Sequence, residues 1–166
     1  DESKRTPEEM EARGKRLADR ALAIWSQLEV DETVLRAMEL EELKAKAQRR
    51  NISQVSMSTH AAVLFDALRA QLKSAFPDVI EAAEHKSISY HDPEFFLEVI
   101  PRKHGLSLVV DLDFNEVEAG DGLAKDASDW SFVMHASHSG GVLVQLKNLT
   151  EIDRAMAIVA QARALT

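Results

Sequence analysis

Apolar positions divide the chain into a helical first part and a strand-rich second part. Leu17, Ala21, Ile24, Trp25 and Leu28 recur at the three- and four-residue steps of one helix face. Thr6-Pro7-Glu8-Glu9 stands ahead of them. It supplies a capping hydroxyl, a proline where no helical N–H is needed, and a glutamate that can reach back to the cap. A helix from Pro7 to Leu28 follows, slightly weakened at Gly14. Asp31 is placed to cap a second helix carrying Val34, Leu35, Met38, Leu40 and Leu43. Residues 44–58 begin basic and turn serine-rich, which reads as a linker. Ser58 or Thr59 then caps a third helix, with Ala62, Leu64, Phe65, Leu68 and Leu72 on its buried side, until Pro77 ends it. Asp78 to Glu84 reads as one more short helical turn.

The pattern then changes to β-branched or alternating runs at residues 87–90, 95–100, 106–113, 131–134 and 142–146. His91-Asp92-Pro93, Arg102-Lys103-His104-Gly105, Ala119-Gly120-Asp121-Gly122 and Ser139-Gly140-Gly141 separate them. Such short breaks favour antiparallel neighbours. Thr150-Glu151-Ile152-Asp153 reads as a capping box opening a last helix with Ile152, Ala155, Met156 and Val159 on one face. The predicted class is α+β: a helical arm over 1–43, a linker over 44–58, and a domain over 59–166. That domain would hold a helix, about five antiparallel strands and a closing helix.

Composition narrows the chemistry. Without a single cysteine, disulfides, thiol catalysis, Cys-ligated zinc and iron–sulfur clusters are excluded within the chain. This fits a reducing, cytoplasmic setting. No apolar run approaches the roughly 20 residues that span a bilayer. The first residues carry no signal-peptide pattern and no starting methionine, so they read as a cut within a longer product. Net charge is −8 and unevenly spread. Residues 1–57 hold 11 Lys/Arg against 12 Asp/Glu, and residues 58–166 hold 9 against 16. Phosphate tracking needs clustered positive charge, so the second part begins as a poor nucleic-acid binder.

Few residues invite a catalytic reading. His135 and His138, with Asp111, Asp113 or Asp126, could form a divalent-metal hydrolase site. However, an i,i+3 histidine pair on an extended segment points to opposite faces, and a bend at Ser137 would be needed. Asp111 and Asp113 alternate on one predicted strand. No lysine follows them at nuclease spacing, which leaves the solvated face of a sheet as the favoured reading. No phosphate-loop, dinucleotide or nucleophile-elbow motif occurs. Arg102, Lys103 and His104 form a basic turn, and Arg49 and Arg50, near Lys44 and Lys46, form a second basic cluster. These are the candidate contacts to nucleic acid or a partner. Stacking on single-stranded or modified bases would need Tyr90, Phe95, Phe96 and Trp130 exposed, and most read as core.

Two stretches resemble known families. Leu68, Pro77-Asp78-Val79, Ile88-Ser89-Tyr90, Phe96-Leu97-Glu98-Val99-Ile100-Pro101, Lys103 and residues 106–112 are the first part of one pattern. It continues with Asp126, Gly140-Gly141, Val144, Leu146 and the helix from Leu149. Phe65 to Ala162 thus resembles the uncharacterised C-terminal domain of bacterial "predicted transport proteins", which is also appended to restriction-type proteins. Arg13, Leu17 and Ile24-Trp25 resemble the last helix of the HNH nuclease domain in GmrSD-like proteins. The resemblance implies a parent with upstream ParB-like and HNH domains, a modification-dependent restriction endonuclease of bacterial antiviral defence. The family's His-Ile-x-Pro and Asp-Gly-Gln-Gln-Arg motifs are absent here, so no catalytic residue carries over. What it implies for this fragment is a cofactor-free, non-catalytic module for dimerisation, autoinhibition or substrate recognition. Its partners would be the upstream domains, a second copy as a homodimer, and DNA through the parent, with no membrane.

Overall fold

The computed structural model describes residues 7–28, 32–118, 122–127 and 141–165. The chain forms two compact units, residues 1–42 and 43–166. The first holds α1 (Pro7–Leu28) and most of α2 (Glu32–Arg49). Met10, Leu17, Leu22, Val34, Leu35 and Met38 all lie exposed on these helices. No helix among the described residues is long and apolar enough to cross a membrane.

In the second unit, segment 44–58 contains the end of α2 and a short 3-10 turn, Ile52–Gln54. Val55, next to that turn, is buried in the core. The helix α3 (Thr59–Ala75) starts where Ser58 Oγ accepts the Ala61 N–H at 3.1 Å. It buries Ala61, Leu64, Phe65, Leu68 and Leu72, and stops at Phe76 ahead of Pro77. Six strands follow among the described residues: β1 (Ile80–Ala83), β2 (Ile88–His91), β3 (Phe95–Arg102), β4 (Gly105–Val110), β5 (Ala124–Asp126) and β6 (Val142–Leu146). They form one sheet in the order β1-β2-β3-β4-β6-β5, with every pairing antiparallel. The chain closes with α4 (Ile152–Leu165). The class is α+β, as the pattern predicts.

The core lies between one sheet face and the pair α3 and α4. Ile88, Val99, Leu108 and Val144 form one row across that face, and Tyr90, Leu97, Val110 and Val142 the next. Each large aliphatic side chain buried there contributes about 1.5–3 kcal/mol relative to exposure. Gln71 Nε2 donates to Asp153 Oδ1 at 2.8 Å, tying α3 to α4. Arg163 Nε donates to Asp92 Oδ2 at 2.7 Å, tying the end of α4 to the β2–β3 turn.

Two expectations are corrected, and one strand is added. Residues 80–83 form strand β1 and not a helical turn. Their Glu-Ala-Ala content favours helix locally, but pairing with Ile88–His91 and burial of Ala82 and Ala83 override it. Residues 124–126 form β5, which carries no alternating signal and is held by its pairing with β6. The cap of the last helical segment sits two residues earlier than read, at Asn148, with Glu151 reaching back. The predicted strand over 131–134 lies outside the described residues.

One carboxylate joins α3 to the edge hairpin. Arg69 donates to Glu81 through Nε (2.9 Å to Oε2) and Nη2 (2.7 Å to Oε1). Tyr90, fully buried, donates its hydroxyl to Glu81 Oε2 at 2.7 Å. Burial first, and then the Glu81 charge, push the Tyr90 phenol far above its ordinary value. The hydrogen bond to Glu81 raises the Arg69 guanidinium. Glu81→Ala strands both donors and is expected to destabilise by about 2–3 kcal/mol, since Arg69 keeps some solvent access. Urea unfolding measures this, and a change within about 0.5 kcal/mol would show that the cluster is not a tie.

Gly105 opens β4 at φ 155°, a conformation that L side chains rarely adopt. A Cβ there would run into the Leu146 carbonyl of β6. Gly105→Ala therefore forces the β3–β4 hairpin away from β6, with an expected loss of about 2 kcal/mol or more. An unchanged denaturation midpoint would refute the close approach.

Candidate functional site

The β3–β4 turn and the end of β6 meet at one end of the sheet. Arg102 pairs with Gly105 across the hairpin, and Leu106 pairs with Leu146 on the other side. This register brings Lys147, just past β6, beside the turn. Arg102, Lys103, His104, Ser107, Gln145 and Lys147 contribute to the lining of one open depression of about 250 Å³. Arg102 Nε donates to Ser107 Oγ at 3.2 Å, which holds the guanidinium along the rim. Among the described residues no carboxylate pairs with Arg102, Lys103, His104 or Lys147. Four other cations are held by carboxylates: Arg69 and Lys73 reach Glu81, Arg163 reaches Asp92, and Lys46 reaches Glu84.

The turn that carries Lys147 is built locally. Glu151 Oε2 accepts the Lys147 N–H at 2.7 Å and the Asn148 N–H at 3.0 Å. The Lys147 carbonyl lies 2.8 Å from His60 Nε2 on α3. The backbone donors, Lys147 first, hold the Glu151 carboxyl below its ordinary value of 4.5, outweighing the opposing effect of burial. A depressed folded value means the charged form is favoured by folding. Its contribution is complete above the ordinary value and is lost as pH falls through the depressed one. Glu151→Gln should therefore show a smaller loss of stability between neutral pH and pH below 4.5 than the parent chain. Urea midpoints across that range test it, and parallel curves for the two proteins would be the contrary result.

The sequence candidates divide among these surroundings. Arg102, Lys103 and His104 share the depression, joined by Lys147 and Gln145, which no local pattern marks. Arg49 and Arg50 are exposed at and just past the end of α2 and do not line it. Asp111 and Asp113 do not share a strand face, because β4 ends at Val110. The Asp111 N–H donates to the Phe96 carbonyl at 3.0 Å. Asp113 caps a 3-10 turn, its Oδ1 accepting from the Asn115 N–H at 2.8 Å. Asp126 lies on edge strand β5. His135, His138 and Trp130 lie outside the described residues. Among the described residues, no three or more His, Cys, Asp or Glu gather as a metal-holding group. Tyr90 and Phe96 are fully buried and offer no stacking platform, and Phe95 is half-buried.

The family described as Domain of unknown function (DUF5655) matches residues 52–165. No curated protein and no solved structure matches the chain.

Proposed function

The chain belongs to the DUF5655 family, and from that premise we propose that it is a non-catalytic recognition module of a larger DNA-cutting defence protein, meeting nucleic-acid phosphate at the β3–β4 end of its sheet. One observation carries this reading. Arg102, Lys103, His104 and Lys147 line one depression with no carboxylate partner among the described residues, in a chain whose net charge is −8. Arginine and lysine side chains without a carboxylate partner are what a phosphate oxygen recognises, and here Arg102, Lys103 and Lys147 surround a depression whose lining includes the apolar Gly105, Leu106 and Leu146. The surrounding acidic balance keeps the contact local. It disfavours tracking along a duplex and favours a few fixed phosphates.

The GmrSD-like resemblance of α1 supplies the parent: an endonuclease whose cutting groups lie in upstream domains, with this module placing the substrate. Autoinhibition is the competing role, in which the same basic end holds an acidic stretch of an upstream domain.

Fluorescence anisotropy with duplex DNA at low salt separates the two. Direct recognition predicts weak binding that falls steeply with salt. Changing Arg102, Lys103 and Lys147 together to alanine should abolish that binding and leave the fold intact by circular dichroism. Singly, each change should lower the slope of log affinity against log salt by about 1. Binding that ignores all three changes, or no binding at low salt, would reject the phosphate reading.

A further inference from the structure

A second pocket, of about 140 Å³, is lined by Leu43, Lys46, Glu84, Ser89, His91, Phe95 and Glu98. Ser89 and Glu98 are cross-strand partners on β2 and β3. Their chain neighbours Ile88, Tyr90, Leu97 and Val99 point into the helix-covered core. Strand alternation therefore turns Ser89 and Glu98 to the opposite face. Glu98 is only 9% exposed. Ser87 Oγ donates to its Oε1 at 2.6 Å, and no described group donates to Oε2. Among the described residues no fully buried side-chain oxygen lacks a partner, so Glu98 Oε2 remains accessible, and as an acceptor it can take a donor that enters the pocket.

The rest of the lining says what kind. Lys46 Nζ and Glu84 Oε1 pair at 2.7 Å, making the rim formally neutral. Glu98 is then the uncompensated carboxylate of the pocket. His91 Nε2 lies 3.2 Å from Ser89 Oγ, and its ring meets Phe95 edge-on at 5.6 Å. Phe95 thus lends an aromatic wall, and Leu43 an apolar one. Negative floor, aromatic side and small volume suit a compact cation on a short apolar stem.

We propose that this pocket binds a guanidinium or ammonium head group. Glu98 Oε2 accepts its N–H, Ser89 Oγ supplies a second acceptor, and Phe95 flanks the charge. The chemistry is the same whether the group belongs to a free small cation or to an arginine side chain of a partner protein.

The test is an NMR titration of the full chain with methylguanidinium and, separately, with arginine blocked at both ends as amides. Both probes are expected to move the Ser89, His91 and Glu98 amides saturably. Equal affinity for the two assigns the site to a free cation, and clearly tighter binding of blocked arginine assigns it to a partner's side chain. Glu98→Gln keeps the Ser87 contact but removes the charge, and should weaken binding about tenfold. Phe95→Leu should weaken it about threefold. Two results overturn the proposal: no saturable shift with either probe, or unchanged affinity in Glu98→Gln. Should that variant fail to fold, the parent chain still decides, because shifts that map away from Ser89, His91 and Glu98 reject the site.

Discussion

The second unit depends on one sheet of apolar side chains being covered by two helices. Ile88, Leu97, Val99, Leu108, Val142 and Val144 have no other way to leave water than beneath α3 and α4. Polar ties then fix where those helices lie. Glu81 gathers Arg69 and Tyr90 at the β1–β2 edge, Asp92 receives Arg163 at the β2–β3 turn, and Asp153 receives Gln71 between the helices. The Arg163–Asp92 and Gln71–Asp153 ties join elements distant in sequence and add position more than energy. The apolar layer supplies the free energy, and these polar ties select the arrangement.

The basic end of the sheet follows from that arrangement. Gly105 lets the β3–β4 hairpin come against the Leu146 carbonyl, and only then does Lys147 stand beside Arg102 and His104. Glu151 holds the same turn from the helix side through two backbone donors. The positive cluster is thus assembled from a basic hairpin turn, Arg102-Lys103-His104, and the single lysine just ahead of a helix cap.

Legibility in the sequence follows the range of the forces involved. Helix α3 reads directly, because a serine cap, a 3.6-residue repeat and a terminal proline all act within a few residues. The β3–β4 hairpin reads for the same reason: two apolar runs flank a turn ending in glycine. β1 misleads, since Glu81-Ala82-Ala83 has helical composition and becomes strand only through its partner β2. β5 gives no signal at all, as three residues, Ala124-Lys125-Asp126, owe their conformation to β6. Half of the basic depression, Arg102 to His104, is visible as a local charge run. Lys147 and Gln145 are not, because their membership depends on β4–β6 register. Glu98 was missed as a pocket floor, yet its signal was present: one charge inside the apolar run Phe95-Phe96-Leu97-Glu98-Val99-Ile100.

That exception separates structural charge from available charge. A buried ionisable group in a well-made core is expected to be fully matched, since an unmet one costs about 1–3 kcal/mol or more. Glu81 meets this standard with three donors of its own, Arg69 Nε and Nη2 and the Tyr90 hydroxyl, and its role ends in the fold. Glu98, on the opposite sheet face, has one donor on one oxygen and a pocket in front of it. The cations are a separate case, since Arg102, Lys103 and Lys147 are exposed and water can solvate them. Arg69 and Arg163 are held by carboxylates, whereas Arg102, Lys103 and Lys147 stand together without one among the described residues. These two places carry charge of opposite sign. The two proposed recognition chemistries rest on these places: exposed cations at the sheet end for an anion, and the nearly buried Glu98 on the opposite sheet face for a cation.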